Sequence, residues 1–426
     1  MISILFSTFI TNCLIFSYGV FLYLYIFKDR ITKNNIYEIP IFGIVILSFI
    51  SLLINFVLPL SKSIGSVILL FGLIYLIIFA INNLYIFKKF IKLIIFSTAI
   101  SFLLLAYSNI YRPDAGLYHL PFISILNENK IIFGLSNIHF RFGTTSIIQY
   151  LSAIQNNYIL NLSSISIPIA STFSFAIIFF VRNIFYKIKK KEFFLSVFYF
   201  FTSISCLLSY GSFGNFGNDA VSNLYFFILT LFFLDNFNNL KESSLVFFKI
   251  LLLSIFLFAT KAFMSIILII PIIIFIFKKG KTELFRKFPT YLCIIIVASW
   301  FIKNIIVSGC IIYPLKETCF SNLKYYDSET TVIEASAGEA WAKDWVNQND
   351  IKLNYNEYNK KFNWLETWGN NHLLKILEKI APFIIFLLLF NFYNYFKSRN
   401  IYNIPKGFKY TVIFSLILSI IWFLKF

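Results

Sequence analysis

Apolar runs of about 20 residues recur along the whole of this 426-residue chain, and each is long enough to cross a bilayer. That recurrence constrains the fold more than any other feature. A lipid-embedded backbone must satisfy its own hydrogen bonds, so the choice is between helices and a closed barrel. The runs are too long for barrel strands and lack period-two alternation. Only 13% of residues are charged, against about 25% in a soluble domain. The expected fold class is an all-α polytopic membrane protein with about twelve transmembrane helices. They fall near 3–27, 39–60, 64–87, 91–108, 161–186, 193–210, 220–237, 244–260, 262–277, 288–308, 380–396 and 408–426. The stretch 244–277 is divided at Thr260-Lys261, because 34 residues exceed one crossing and the lysine sits at its middle.

The net charge of +18 would suggest nucleic acid in a soluble protein. Here the cations lie in short loops between apolar runs, where they report topology, and no nucleic-acid partner is expected. With the N-terminus outside, the cytoplasmic loops carry 20 basic residues, while the short outer loops carry only Lys62 and Lys261. No cleavable signal is read at the N-terminus, because Lys28 and Arg30 follow the first apolar run. No internal repeat is visible.

Five units follow from this reading: a four-span bundle at 1–108, a first large outer loop at 109–160, a six-span bundle at 161–308, a Trp-rich outer segment at 309–378 and two spans at 379–426. The 309–378 segment holds ten acids and seven lysines within a strongly basic chain, and four of the six tryptophans. It is expected to fold as an extracytoplasmic cap. Trp364 and Trp368, with Glu366, suit stacking on sugar faces; the alternative is packing in the cap's own core.

Nine acids lie outside that segment, and six of them fall in or beside cytoplasmic loops. Asp114, Glu128 and Asp219 remain, all at the outer face. Asp114 stands in "YRPDAGLYHLPF", which holds Arg112, Asp114 and His119 within eight residues. Pro113 is expected to end the preceding helix and Gly116 to allow close approach of a ligand. Asp114 is then a candidate general base toward an acceptor hydroxyl, or a ligand for a divalent cation such as Mg or Mn. The alternative is an N-cap for a short helix at 115–128.

Segment 117–129 reads as an interfacial amphipathic helix, with Leu117, Leu120, Phe122, Ile125 and Leu126 opposite His119, Asn127, Glu128 and Asn129. In "SNIHFRFG", an extended chain would put Asn137, His139 and Arg141 on one side, where Arg141 and His139 can hold a phosphate or snorkel to lipid headgroups. Asp219 lies in "GSFGNFGNDAVSN", whose glycines suit a tight re-entrant turn; it is either part of the same polar site or an N-cap. Lys261 is a candidate partner for a phosphate or for Asp114, or a snorkelling turn residue. Cys310 and Cys319 share a short loop on an oxidising side and are expected to form a disulfide, with two free thiols as the alternative.

The series "PDAGLYHLP", "GLSNIHFRFGTTS", "TK", "SGCIIYP" and "CF" resembles an uncharacterised bacterial branch of the GT-C type integral-membrane glycosyltransferases, over about residues 100–420. The resemblance implies a polyprenyl-phosphate sugar donor, a glycan or lipid acceptor and an active site facing the periplasm of the bacterial inner membrane. It implies that Asp114 is the loop acid. Arg112, His119, His139, Arg141, Asp219 and Lys261 are the substrate and phosphate candidates by charge and side. Many of these proteins carry two adjacent acids in that loop; here Asp114 stands alone, which leaves metal use open. The end at "SIIWFLKF" is expected to be shortened relative to them. No Gly-rich phosphate loop is present, as suits a donor whose leaving group is a lipid phosphate. The competing classes are a transporter or flippase of lipid-linked or small polar substrates, and an O-antigen-type polymerase or ligase that would use Arg141 and His139.

Overall fold

A computed structural model describes residues 1–107, 113–160, 162–348, 353–396 and 405–425. Among them the only strand-like pairing is an isolated bridge between Cys310 and Cys319; every other regular element is helical. The first group is α1 (Ile2–Phe21, prolonged by a π turn to Ile26), α2 (Ile39–Asn55), α3 (Lys62–Asn82) and α4 (Leu84–Ala106). Two short helices follow, α5 (Leu120–Glu128) and α6 (Ile147–Ala153). The second group is α7 (Ile167–Lys189), α8 (Phe193–Leu208), α9 (Asn218–Asn236), α10 (Ser244–Thr260), α11 (Ile269–Phe277), α12 (Lys281–Leu284) and α13 (Phe288–Ser308). Then come α14 (Ser328–Ala342), α15 (Tyr355–Asn359) and α16 (Trp364–Trp368), and finally α17 (Leu374–Phe396) and α18 (Phe408–Lys425).

Among the described residues, six helices are long and apolar enough to cross a bilayer: Ile2–Ile26, Lys62–Asn82, Leu84–Ala106, Ser164–Lys189, Asn218–Asn239 and Phe288–Ser308. This is an α-helical membrane protein. Two apolar helices are shorter than their sequence runs suggest, Ile39–Asn55 and Phe193–Leu208, while Ser244–Thr260 and Ala262–Phe277 match the expected bounds. The second run was expected to reach residue 60, but α2 stops at Asn55. Its side-chain amide donates to the carbonyls of Leu58 and Asn129, which turns the chain and ties it to the segment after α5. The stretch 244–277 breaks at Lys261, whose extended backbone (φ −150°, ψ 121°) ends α10; the 3₁₀ turn Ala262–Leu268 then packs back against α10.

Small residues let the first helices approach closely. A Cβ on Gly19 would sit 2.2 Å from the carbonyl oxygen of Ile39, and one on Gly43 would sit 2.0 Å from that of Ile15. This is the small-residue packing used where lipid removes the hydrophobic drive between helices. Side-chain hydrogen bonds cross the same group. Asn12 donates to Ser97 and Thr98, Thr11 to Gln155, and Ser101 to Ser174.

The two ends of the bundle differ. At one end the 55–66 turn, the 113–160 segment, the 209–218 turn, Lys261 and the 304–327 segment meet. At the other, the 28–38 turn meets α10 through Lys249, which lies 3.1 Å from Glu38 and 3.7 Å from Asp29; Lys187 there bridges Glu192 and Asp235.

The Trp-rich segment has a core of its own. Ala340, Tyr358 and Trp364 are buried together, with Trp345, Leu353, Tyr355 and Trp368 packed around them. Trp364 is only 1% exposed and meets Trp368 edge-on at 6.1 Å, so it builds the core and presents no free face to a sugar. Trp341 is the exposed one, at 51%. Cys310 and Cys319 are joined by a disulfide that closes the loop at the start of the segment.

Candidate functional site

The polar groups of the first large loop are brought together by a change of helix type. Pro113 does not end a helix: α4 has already stopped at Ala106, and Pro113 lies in the first turn of the next helical segment, where a missing N–H costs nothing. Residues Ala115–His119 then form a π turn that runs into α5. The wide turn shifts the register of the helix, and the amphipathic pattern expected for 117–129 fails in its first turn only. His119 is buried at 6% exposure, whereas Leu117 and Leu120 are exposed at 64% and 40%. Phe122 and Leu126 are buried as expected, joined by Ile123, and Glu128 and Asn129 are exposed.

Asp114 is exposed and holds the cap position of the π turn, but its side chain makes no capping bond. Its carboxylate stands beside the Tyr118 hydroxyl. Burial pushes that phenol above its usual range, and the charge and hydrogen bond of Asp114 add to the effect. Arg141 acts on the same phenol in the opposite sense, with its guanidinium 5.8 Å from the Tyr118 ring centre. Gly116 has nothing within 4 Å of a Cβ position, so this stretch faces open space.

His119 is held from two sides. The Gln149 amide is 3.2 Å from its Nδ1 and the Asn218 amide 3.4 Å. With both amides as donors, Nδ1 accepts and the ring proton sits on Nε2. Burial lowers its pKa to about 4, against smaller opposing effects of Asp114 and Asp219. The ring is therefore neutral at neutral pH, and His119 is not a cation for a phosphate. Its ring lies 4.3 Å from that of Tyr118 and 5.6 Å from that of Phe216.

The "SNIHFRFG" stretch is not an extended strand. It forms two 3₁₀ turns, Leu135–Asn137 and Phe140–Phe142; His139 and Arg141 both lie by the Tyr118 ring, while Asn137 turns to the 309–378 segment. Gly134 starts the first turn at φ +64°, a conformation that suits glycine. Asn137 donates to the Tyr325 carbonyl, and His139 accepts from the Arg141 backbone N–H at 3.2 Å. Burial and the nearby Arg141 both lower the His139 pKa. Arg141 forms an ion pair with Glu334 of α14 at 3.3 Å. Glu334 is buried, and burial raises its pKa to about 7 although Arg141 opposes the shift. Its second oxygen and the hydroxyl of nearby Tyr313 are both buried without a hydrogen-bond partner.

Asp219 lies in the first turn of α9, but Gly217 occupies the cap position, so Asp219 is not the N-cap. It pairs with Lys261 at 2.7 Å, and both side chains are well exposed. Lys261 thus takes Asp219 rather than Asp114 as its carboxylate. The glycines before α9 adopt no left-handed backbone, so no re-entrant turn depends on them. Asp219 also acts on Tyr118 and His119 through its charge, which places it in the same group. Arg112 lies outside the described residues.

Among the described residues, no three His, Cys, Asp or Glu side chains gather in a way that could hold a metal ion. Asp114 would need donors from substrate or water to bind Mg or Mn. The sequence reading did not single out Tyr118, Gln149, Asn218, Glu334 or Lys303. Lys303 of α13 is fully buried, with its ammonium bonded to Thr145 and Asn304 and 4.2 Å from the Trp300 ring centre. Its position inside an apolar run was the available signal. Glu334 carried none, as one acid among ten.

No curated protein and no solved structure matches the chain. One family does, and the match runs over residues 1–426: the chain belongs to the family described as a domain of unknown function, DUF8201.

Proposed function

We propose that this chain is a membrane glycosyltransferase of the GT-C type. In this reading it moves a sugar from a polyprenyl-phosphate donor to a glycan or lipid acceptor on the extracytoplasmic face. All twelve apolar segments cross the membrane, and both termini face the side that bears Asp114.

The observation that carries the reading is the grouping at one end of the bundle. An exposed Asp114 carboxylate stands beside Tyr118, with Arg141 and the Lys261–Asp219 pair near the same phenol and imidazole. Asp114 accepts the proton of an acceptor hydroxyl as its oxygen attacks the anomeric carbon. The bond from that carbon to the lipid phosphate oxygen breaks, and the phosphate leaves with the electron pair. Arg141 uses one guanidinium nitrogen on Glu334 and retains further donors for the departing phosphate. Neutral His119 positions Tyr118 and Asn218 rather than carrying charge. No step is routed through a metal.

The test compares membranes holding the wild type or Asp114→Asn at matched levels, with radiolabelled polyprenyl-phosphate sugars, with and without EDTA. Loss of the base is expected to lower transfer by roughly 10²- to 10⁴-fold. Equal transfer by both proteins removes Asp114 from the chemistry and shifts the reading to a polymerase or ligase built on Arg141 and His139.

A transporter is the second reading, and the buried Lys249 and Lys187 pairs at the opposite end favour it. It predicts movement of a lipid-linked sugar across proteoliposomes without any new glycosidic bond.

A further inference from the structure

We propose that a groove between α4 and α7, at the end of the bundle away from Asp114, binds one anionic glycerophospholipid. Its phosphate sits on Arg182 and Lys189. The proposal rests on the membrane character of the chain and is independent of the glycosyltransferase reading.

The groove has a volume of about 660 Å³. Its wall is apolar where it faces lipid, with Phe96 and Ile100 from α4 and Ile177 and Val181 from α7. Arg182 and Lys189 line its other part. From Ile177 to Lys189 the helix rises about 18 Å, close to half of a hydrocarbon core about 30 Å thick. The groove therefore runs from the headgroup level to near the midplane, the depth of one leaflet.

Arg182 is prepared for an anion that the protein does not supply. Its guanidinium donates to the side-chain oxygens of Asn183 and Asn34, each at 3.0 Å. It lies over the rings of Tyr186 and Tyr37, at 4.2 and 5.4 Å. Among the described residues no carboxylate comes within 4.0 Å of it, whereas Lys187 and Lys249 nearby both have acidic partners. Two neutral amides and two rings fix the orientation of the group without neutralising it. Lys189 is exposed beside it, and Lys190 and Lys191 add positive field. A basic pocket between membrane helices is the pattern that recognises anionic headgroups. The apolar wall below the cation selects a lipid over a soluble phosphate, since acyl chains gain by leaving water for it.

The experiment is native mass spectrometry of the full chain released from detergent, with dioleoylphosphatidylglycerol and dioleoylphosphatidylcholine supplied at equal concentration. The wild type is expected to retain phosphatidylglycerol about tenfold over phosphatidylcholine, because both carry the phosphodiester but the choline ammonium cancels its charge and is repelled by Arg182 and Lys189. Arg182→Gln and Lys189→Gln should bring the two lipids toward parity. Val181→Trp fills the groove from an exposed position and should lower retention of both, so a folding defect at Arg182 does not decide the matter. Equal retention of the two lipids by the wild type overturns the proposal. So does phosphatidylglycerol retention that neither Arg182→Gln nor Val181→Trp changes. Displacement of phosphatidylglycerol by an equal concentration of a polyprenyl phosphate also overturns it, and would mark the groove as an isoprenoid site.

Discussion

The Arg141–Glu334 ion pair joins the Trp-rich segment to the loop that carries the candidate site, beside the Asn137–Tyr325 hydrogen bond. Arg141→Gln leaves Glu334 buried without its cation. At 3.3 Å and an effective dielectric constant of about 20, the lost attraction is about 5 kcal/mol. Part is returned because the guanidinium no longer has to be desolvated, and breaking one partner of a buried pair costs about 3–5 kcal/mol. This cost applies where Glu334 is ionised. Its pKa is raised from 4.5 to about 7, so at pH 8 the folded carboxyl is charged and at pH 5 it is neutral. The folded state binds more protons than the unfolded state between those values. The contribution of Glu334 to stability is therefore full below about pH 4.5 and is lost as pH rises through about 7. The whole window is on the order of 3 kcal/mol, at 1.36 kcal/mol per unit. Four of the six tryptophans lie between residues 341 and 368, so their emission reports unfolding of this segment in detergent. At pH 8, one unit above the Glu334 pKa, a Glu334 without its cation takes up a proton instead of bearing the full cost, which limits the loss to about 1.4 kcal/mol; Arg141→Gln is therefore expected to lower the midpoint by on the order of 6–11 °C, given about 4–8 °C per kcal/mol for a unit this small. At pH 5 the loss should shrink to about that of one hydrogen bond, ~1 kcal/mol. The double variant Arg141→Gln/Glu334→Gln should recover most of the loss at pH 8. A double variant as unstable as the sum of the two single ones, or a wild-type midpoint unchanged by Arg141→Gln at pH 8, refutes the reasoning.

His119 predicts the opposite slope. Its pKa falls from 6.5 to about 4, so its contribution is present above about pH 6.5 and lost as pH falls toward 4. His119→Gln should flatten the acid side of the melting profile, and an unchanged profile would show that the ring is not buried neutral. Gly43→Ala places a methyl 2.0 Å from the Ile15 carbonyl oxygen and forces α1 and α2 apart. A loss of about 1–3 kcal/mol is expected, read as a lower midpoint for the whole bundle. Cys310→Ser/Cys319→Ser opens a loop of sequence separation 9 and should cost about 2.5 kcal/mol by the chain-entropy relation. Reductant should lower the wild-type midpoint and leave the double variant unchanged.

The helical membrane class was legible because it depends on run length, which any stretch of sequence reports without knowing its neighbours. The break at Lys261 was legible for the same local reason, since a cation at the centre of a 34-residue apolar run forbids one crossing. Asp114 and Asp219 were singled out by elimination, because few acids lie at the outer face outside the 309–378 segment.

What the sequence did not reveal is who partners whom. A π turn at Ala115–His119 moved His119 from the polar to the buried side, and no periodicity rule anticipates a change of helix type. Lys261 went to Asp219, 42 residues away, and Arg141 to Glu334 across nearly 200 residues. For Trp364 the sequence left sugar stacking and core packing both open, and the fold took core packing. Sequence by itself determined what each segment must avoid: water for the apolar runs, hydrocarbon for the charges. Only the tertiary structure decided which charge meets which, because that depends on the packing of helices distant in the chain, where a shift of one residue turns a side chain about 100° around the axis.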